Sequence, residues 1–230
     1  SLPNHAEVQR LIDELAGHRL LPHAELYPQF ALAIVYGLNR AVFWRAEGEG
    51  EGAVAVFEQE EALEAVRLLK AAKDGLFFLA VSAGRGAVLA LTPQWKLLPT
   101  SLSVSLGGAS APVYAPALNC LLWADDGGAL ERLEVCEGRT RLRRSTLREQ
   151  GHGALGARLD RFLRRWGRPL FTEIYLLRVD GQHALLVTQR WERGRQLVLQ
   201  RIKVVALGGE GMALLRSVEV EEILAANQYL

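Results

Sequence analysis

Sixteen of the chain's 27 lysine and arginine residues fall between Arg139 and Lys203, and these side chains have the type and spacing of a working surface. Arg158, Arg161, Arg165 and Arg168 recur at spacings of three, four and three, with Arg164 alongside, which gathers them on one side of a predicted helix over 154–166. Just upstream, Arg139, Arg141 and Arg143 alternate along a predicted strand and so share a face. Guanidiniums held on two rigid elements can neutralise phosphates, each contact adding about one unit to the salt dependence of binding. Seven of these arginines, Arg139, Arg141, Arg143, Arg158, Arg161, Arg165 and Arg168, are therefore the candidate anion- or partner-binding residues, and their chemistry is recognition.

Catalytic chemistry has thinner support. The five histidines, His5, His18, His23, His152 and His183, stand at no spacing that joins a nucleophile, a base and an orienting group. His152, between Gly151 and Gly153, could work with Asp160 or His183, which leaves a hydrolase of unfamiliar motif as a remote alternative. Cys120 and Cys136 lack the close spacings of zinc ligands or redox dithiols. They flank a predicted hairpin turn at Asp125 to Gly128; a four-residue turn sets Cys120 opposite Leu133 and puts the two sulfurs on opposite faces. No disulfide is expected, and a cytoplasmic setting is. Gly208-Gly209-Glu210-Gly211 lacks the third glycine of a dinucleotide fingerprint and reads as a plain turn. No cofactor, metal or small-molecule substrate is indicated, and the protein is expected to work without catalysis.

The net charge of +1 conceals a polarity. Residues 1–138 carry 10 basic and 17 acidic side chains, residues 139–230 carry 17 and 9, so an acidic first half is available to cover a basic second half. The absence of an apolar run near twenty residues argues against a membrane span.

The elements that must position these groups read as α+β. Asn4 and Glu7 form a capping box before the stripe Val8, Leu11, Ile12 and Leu15, which Gly17 ends. A loop carrying His18 and His23 leads to strands at 30–36, 41–45 and 53–57. A second helix is predicted over 58–73, with glutamates first and lysines last as the helix dipole favours. Strands follow at 76–82 and 87–92, where the run Phe77, Phe78, Leu79 implies cover on both faces. Residues 93–116 are rich in Pro, Ser and Gly, with a strand-like stretch at 102–106.

Beyond the cysteine hairpin, the helix over 154–166 shows an apolar stripe at Leu155, Leu159, Phe162, Leu163 and Trp166. Strands are predicted at 171–179, 184–191 and 196–205, and a short helix over 217–226. The expected architecture is antiparallel sheets with three or four packing helices, with two helix-plus-meander units around 5–57 and 154–205. It divides into an acidic unit at 1–92, a connection at 93–116 and a basic unit at 117–230.

The order of elements over 5–73 resembles a double-stranded-RNA-binding domain, but the second helix opens on Glu58-Gln59-Glu60-Glu61 where phosphate contacts need lysines. With the next two strands, the order also resembles small chaperone-like folds that dimerise, which implies interaction. The functional expectation is a protein-interaction or assembly module with a protein partner or self-association, for example as a homodimer; nucleic-acid binding through Arg139 to Arg168 is the alternative.

Overall fold

The computed structural model describes residues 6–45, 52–106, 110–125, 128–136, 141–147, 171–192, 197–208 and 211–223. The chain divides into two compact units, Ser1–Leu106 with Val135–Leu142, and Gly107–Glu134 with Arg143–Leu230.

In the first unit, helix α1 (Ala6–Gly17) precedes a sheet of β1 (His23–Tyr27), β2 (Leu32–Gly37), β3 (Arg40–Arg45) and β4 (Ala53–Glu58). A second sheet follows, made of β5 (Ala65–Ala72), β6 (Gly75–Ser82), β7 (Arg85–Leu91) and β8 (Leu97–Ser105). The third sheet, chiefly in the second unit, is β9 (Val113–Ala115), β10 (Cys120–Ala124), β11 (Leu130–Val135) and β12 (Leu142–Thr146). The fourth is β13 (Phe171–Asp180), β14 (His183–Glu192), β15 (Leu197–Gly208) and β16 (Gly211–Ile223).

In every sheet the spatial order of the strands is their chain order, and the hairpins are antiparallel. Two-residue turns enforce this. Leu38-Asn39, Ala83-Gly84 and Gly181-Gln182 close three hairpins, with positive φ at Leu38 (49°), Ala83 (48°), Gly84 (71°) and Gly181 (52°), matching the twist of the flanking strands. Four-stranded meanders of this kind are the blades from which β-propellers are repeated.

The α+β expectation is therefore wrong: the protein is nearly all β. Among the described residues α1 is the only α-helix, joined by a 3-10 turn at Pro28–Phe30. The helix expected over 58–73 is the end of β4, a connection and β5. Ala65, Leu68, Leu69 and Ala72 of this stretch recur at helical offsets of three, four and seven, with Val66 and Ala71 off that stripe. The cause is a bulge between Leu68 and Lys70, which slips the two-residue alternation by one and mimics a 3.6-residue period. The helix expected over 217–226 is strand β16 as far as Ile223, where Val218 and Glu219 follow strand alternation against β15. The helix expected over 154–166 lies outside the described residues, while the three strands expected after it are present as β13, β14 and β15. The first such unit is present with four strands, because His23, expected in a loop, opens β1. The expected connection at 93–116 holds the nine-residue strand β8.

In the cysteine hairpin the observed register is Leu121 opposite Leu133, one step from the expected pairing. The loop runs five residues, from Asp125 to Ala129. Asp125 Oδ1 accepts a hydrogen bond from Ala129 N at 2.9 Å, and Gly128 takes φ +76°. The argument that placed the sulfurs on opposite faces therefore fails, although both thiols are free. Gly128 is required for space as well: a Cβ there would stand 2.7 Å from Tyr175 Cε1.

Burial follows the meander logic. The central strands β6 and β10 are buried along almost their whole length, as their unbroken apolar sequences require. In the first unit Phe43 of β3 meets Phe78 of β6 edge-on, with centroids 4.9 Å apart. Leu68 N donates to Tyr27 Oη at 2.8 Å, and Arg67 Nη1 donates to Tyr36 Oη at 2.8 Å while facing Glu25 at 3.2 Å. These polar links tie the first sheet to the second. In the second unit Tyr175, Leu177, Ala184, Leu186, Val205 and Leu207 of the fourth sheet pack with Cys120, Leu122 and Leu130 of the third.

Helix α1 covers the middle of the outer face of the first sheet, leaving Leu26 and Val56 of that face exposed. Leu11 and Leu15 pack on Val42, with Val8, Val35 and Val54 around them, so the apolar stripe read from the sequence has found its sheet. Gly37 makes room: a Cβ there would lie 2.5 Å from Leu15 Cδ2. An ion pair completes the dock, from Arg40 on β3 to Glu14 on α1 at 3.2 Å.

Candidate interaction surfaces

Of the seven candidate arginines, Arg139, Arg158, Arg161, Arg165 and Arg168 lie outside the described residues. Arg141 is exposed just before β12, and Arg143 stands on it. β12 runs beside β11, whose glutamates neutralise its arginines. Glu134 pairs with Arg143 and also with Arg132 Nη2, the latter at 2.6 Å. Glu131, nearly fully buried, accepts from Arg144 Nε at 3.0 Å and from Thr146 Oγ1 at 2.8 Å. The Arg144 guanidinium also stacks over the Trp123 ring, 5.1 Å from its centroid. The acidic cover for this strand thus comes from the neighbouring strand of its own sheet. Arg143 and Arg144 brace β12 against β11.

Reactive groups are scarce. Cys120 is fully buried and its thiol is pushed up to about 11, chiefly by burial, which disfavours the thiolate that nucleophilic or metal chemistry needs. Among the described residues no cluster of His, Cys, Asp and Glu could hold a metal ion. His23 stacks on Tyr36 with centroids 5.2 Å apart, and His183 sits opposite Asp180 at the head of the β13–β14 hairpin. His152 and Asp160 lie outside the described residues. Nor is any described helix long and apolar enough to cross a membrane.

A cleft of about 450 Å³ opens beside the 3-10 turn, lined among others by Phe30, Arg45, Leu91, Pro93 and Trp95. Trp95 adopts φ +62°, a costly conformation for a tryptophan, and is held there by Trp95 N donating to Thr92 O at 2.9 Å. Arg45 lies 5.6 Å from its ring centroid.

Among the described residues, exposed large apolar side chains gather on the fourth sheet. Tyr175, Leu177, Ala184, Leu186, Val205 and Leu207 of its inner face are buried, yet Ile174, Leu176 and Leu185 are 53%, 65% and 38% exposed. Register places these on one outer face. Leu176 pairs with Val187, Val187 with Ile202 and Ile202 with Val218, an apolar row crossing all four strands. The next row is Arg178, Leu185, Val204 and Arg216, so an arginine marks each edge strand. A row further on, at the turn, stand Asp180 and His183. The spacing of the arginines gives no hint of this surface. The signal was Ile174-Tyr175-Leu176-Leu177, four apolar residues in succession, which is one apolar residue after another for both faces of a strand.

No protein-family model and no curated protein sequence matches the chain. Its fold does match solved structures. One is a chain of the Chaetomium thermophilum Nup170 NTD–Nup53 complex, with a TM-score of 0.56 at 12% identity over 91% of this chain and 30% of that one. Another is the WD40 domain of SCAP from fission yeast, with a TM-score of 0.52 at 12% identity over 86% of this chain and 42% of that one. The chain spans less than half the length of either. At such identities the likeness is one of fold, and it places these four meanders beside nucleoporin and WD40 propeller-like domains.

Proposed function

We propose that the protein is a protein-interaction module that presents a sheet face to its partner. The observation that carries this reading is the apolar row on the fourth sheet, half-buried at Val187, Ile202 and Val218 and 65% exposed at Leu176 on its edge. Single exposed leucines are ordinary, but a row continuous across four paired strands is the kind of patch that marks a protein contact. The fold supports the reading, because the neighbouring structures are WD40 and nucleoporin domains and one of them is a complex with a protein, Nup53. Nucleic-acid binding through Arg139 to Arg168 draws no support from Arg143, which Glu134 engages.

The test is affinity capture from an extract of cells that make the protein, using wild-type and Leu176→Glu baits. A protein retained by the wild type and lost with the variant is expected. Identical captured sets from the two baits, or no protein above blank resin, overturn the proposal.

A further inference from the structure

We infer that the outer face of the fourth sheet docks an acidic amphipathic helix of a partner protein, in the manner in which α1 covers the first sheet. This rests on the interaction-module reading and names the partner's chemistry. The first and fourth sheets are built alike: each is a four-stranded meander with one face packed on a neighbouring sheet. On the first sheet the middle of the other face is covered by Leu11 and Leu15 of α1 over Val35 and Val42, and by Glu14 reaching Arg40. The fourth sheet offers the matching half of that arrangement. Leu176, Val187, Ile202 and Val218 supply the apolar row, and Arg178 and Arg216 supply the cations.

Charge selects among helices. A helix bearing basic residues would meet Arg178 and Arg216 as like charges, so the basic 154–166 stretch of the chain itself, with Arg158, Arg161, Arg164 and Arg165, is a poor match. Asp180 lies at the turn, a row beyond the arginines, and leaves their sign dominant. Geometry adds a spacing. Three inter-strand steps of about 4.8 Å set the two arginines about 14 Å apart. At 1.5 Å per residue, acidic residues seven to eleven positions apart on one side of a helix span about 10 to 16 Å. α1 has this form, with Glu7 and Glu14 seven apart and Leu11 and Leu15 between and beside them.

The probe is therefore a fluorescein-labelled, helix-stapled peptide of the sequence Ala6–Gly17, titrated with the full chain and followed by anisotropy at low and moderate salt. Saturable binding is expected, weakening as salt rises. Leu176→Glu is expected to weaken it at least tenfold, and Arg178→Glu with Arg216→Glu several-fold with loss of the salt dependence. Leu176→Ala, which adds no buried charge, guards against a misfolded variant and is expected to weaken binding in the same direction. The idea is overturned by absence of saturable binding, by equal binding to wild type and Leu176→Glu, or by tighter binding of a stapled peptide of residues 154–166. It is overturned also if light scattering shows a dimer that Leu176→Glu dissolves, since a second copy then holds the face. Should the peptide fail while capture still depends on Leu176, the interaction reading stands and only the acidic-helix partner falls.

Discussion

Replacing Tyr27 by phenylalanine removes one oxygen and almost no volume, from a residue only 6% exposed. That oxygen accepts the Leu68 N–H at 2.8 Å. Leu68 sits where the β5 ladder slips, between Leu68 and Lys70, so the donor is served by a side chain from the first sheet. The variant leaves it buried and unpaired at a cost of about 1–3 kcal/mol. With a urea dependence of about 2 kcal/mol per M, the unfolding midpoint at pH 8 should fall by roughly 0.5–1.5 M.

A second reading comes from pH. Burial, the largest cause, pushes the Tyr27 hydroxyl up to about 12 from 10.0. Above pH 10 the unfolded chain loses this proton first and binds fewer protons than the folded one, so stability is complete below pH 10 and falls as pH rises toward 12. Two units correspond to about 3 kcal/mol. Tyr27→Phe lacks that fall, so the gap between wild type and variant should close between pH 9 and pH 12 in urea titrations monitored by circular dichroism. An unchanged midpoint at pH 8, or parallel alkaline slopes, would refute the claim that this hydroxyl links the first two sheets as a neutral acceptor.

Leu15→Ala should cost about 2–5 kcal/mol, because Leu15 is buried against the first sheet and its loss leaves a cavity at the base of α1. Limited proteolysis should then cut within residues 6–17 sooner than in wild type; equal cutting rates would mean the stripe does not hold the helix. Glu134→Gln removes the carboxylate shared by Arg132 and Arg143, and heparin chromatography should show later elution. Unchanged elution would mean that the glutamate does not mask these cations.

Much of the hairpin pattern was legible along the chain. The strands at 41–45, 53–57, 76–82 and 171–179 come from short runs of apolar and β-branched residues bounded by turn residues, and α1 from its capping residue and its leucine stripe. Charge order and the phase of the alternation misled. Glutamates followed by lysines read as a helix over 58–73, an impression the bulge in β5 reinforces by breaking its alternation, and a loop of five residues in place of four moved the cysteine register by one. The bulge and the longer loop are each a one-residue effect with consequences for every side chain beyond it. β16 was missed because Glu-rich, Val-spaced sequence is a strand only when a partner such as β15 stands beside it.

The candidate surface divides the same way. Composition alone established the charge polarity and the abundance of arginine after residue 139, and both stand. Pairing decided what the described arginines do: Glu131 and Glu134 lie one strand away from Arg144 and Arg143, a nearness no linear spacing records. The apolar row of the fourth sheet is likewise a product of register. Leu176, Val187, Ile202 and Val218 are scattered over 43 positions of sequence and become one surface only when four strands align. The sequence determined which segments carry apolar and charged faces, because periodicity is local; tertiary structure decided which faces are covered, because cover depends on partners brought from far along the chain.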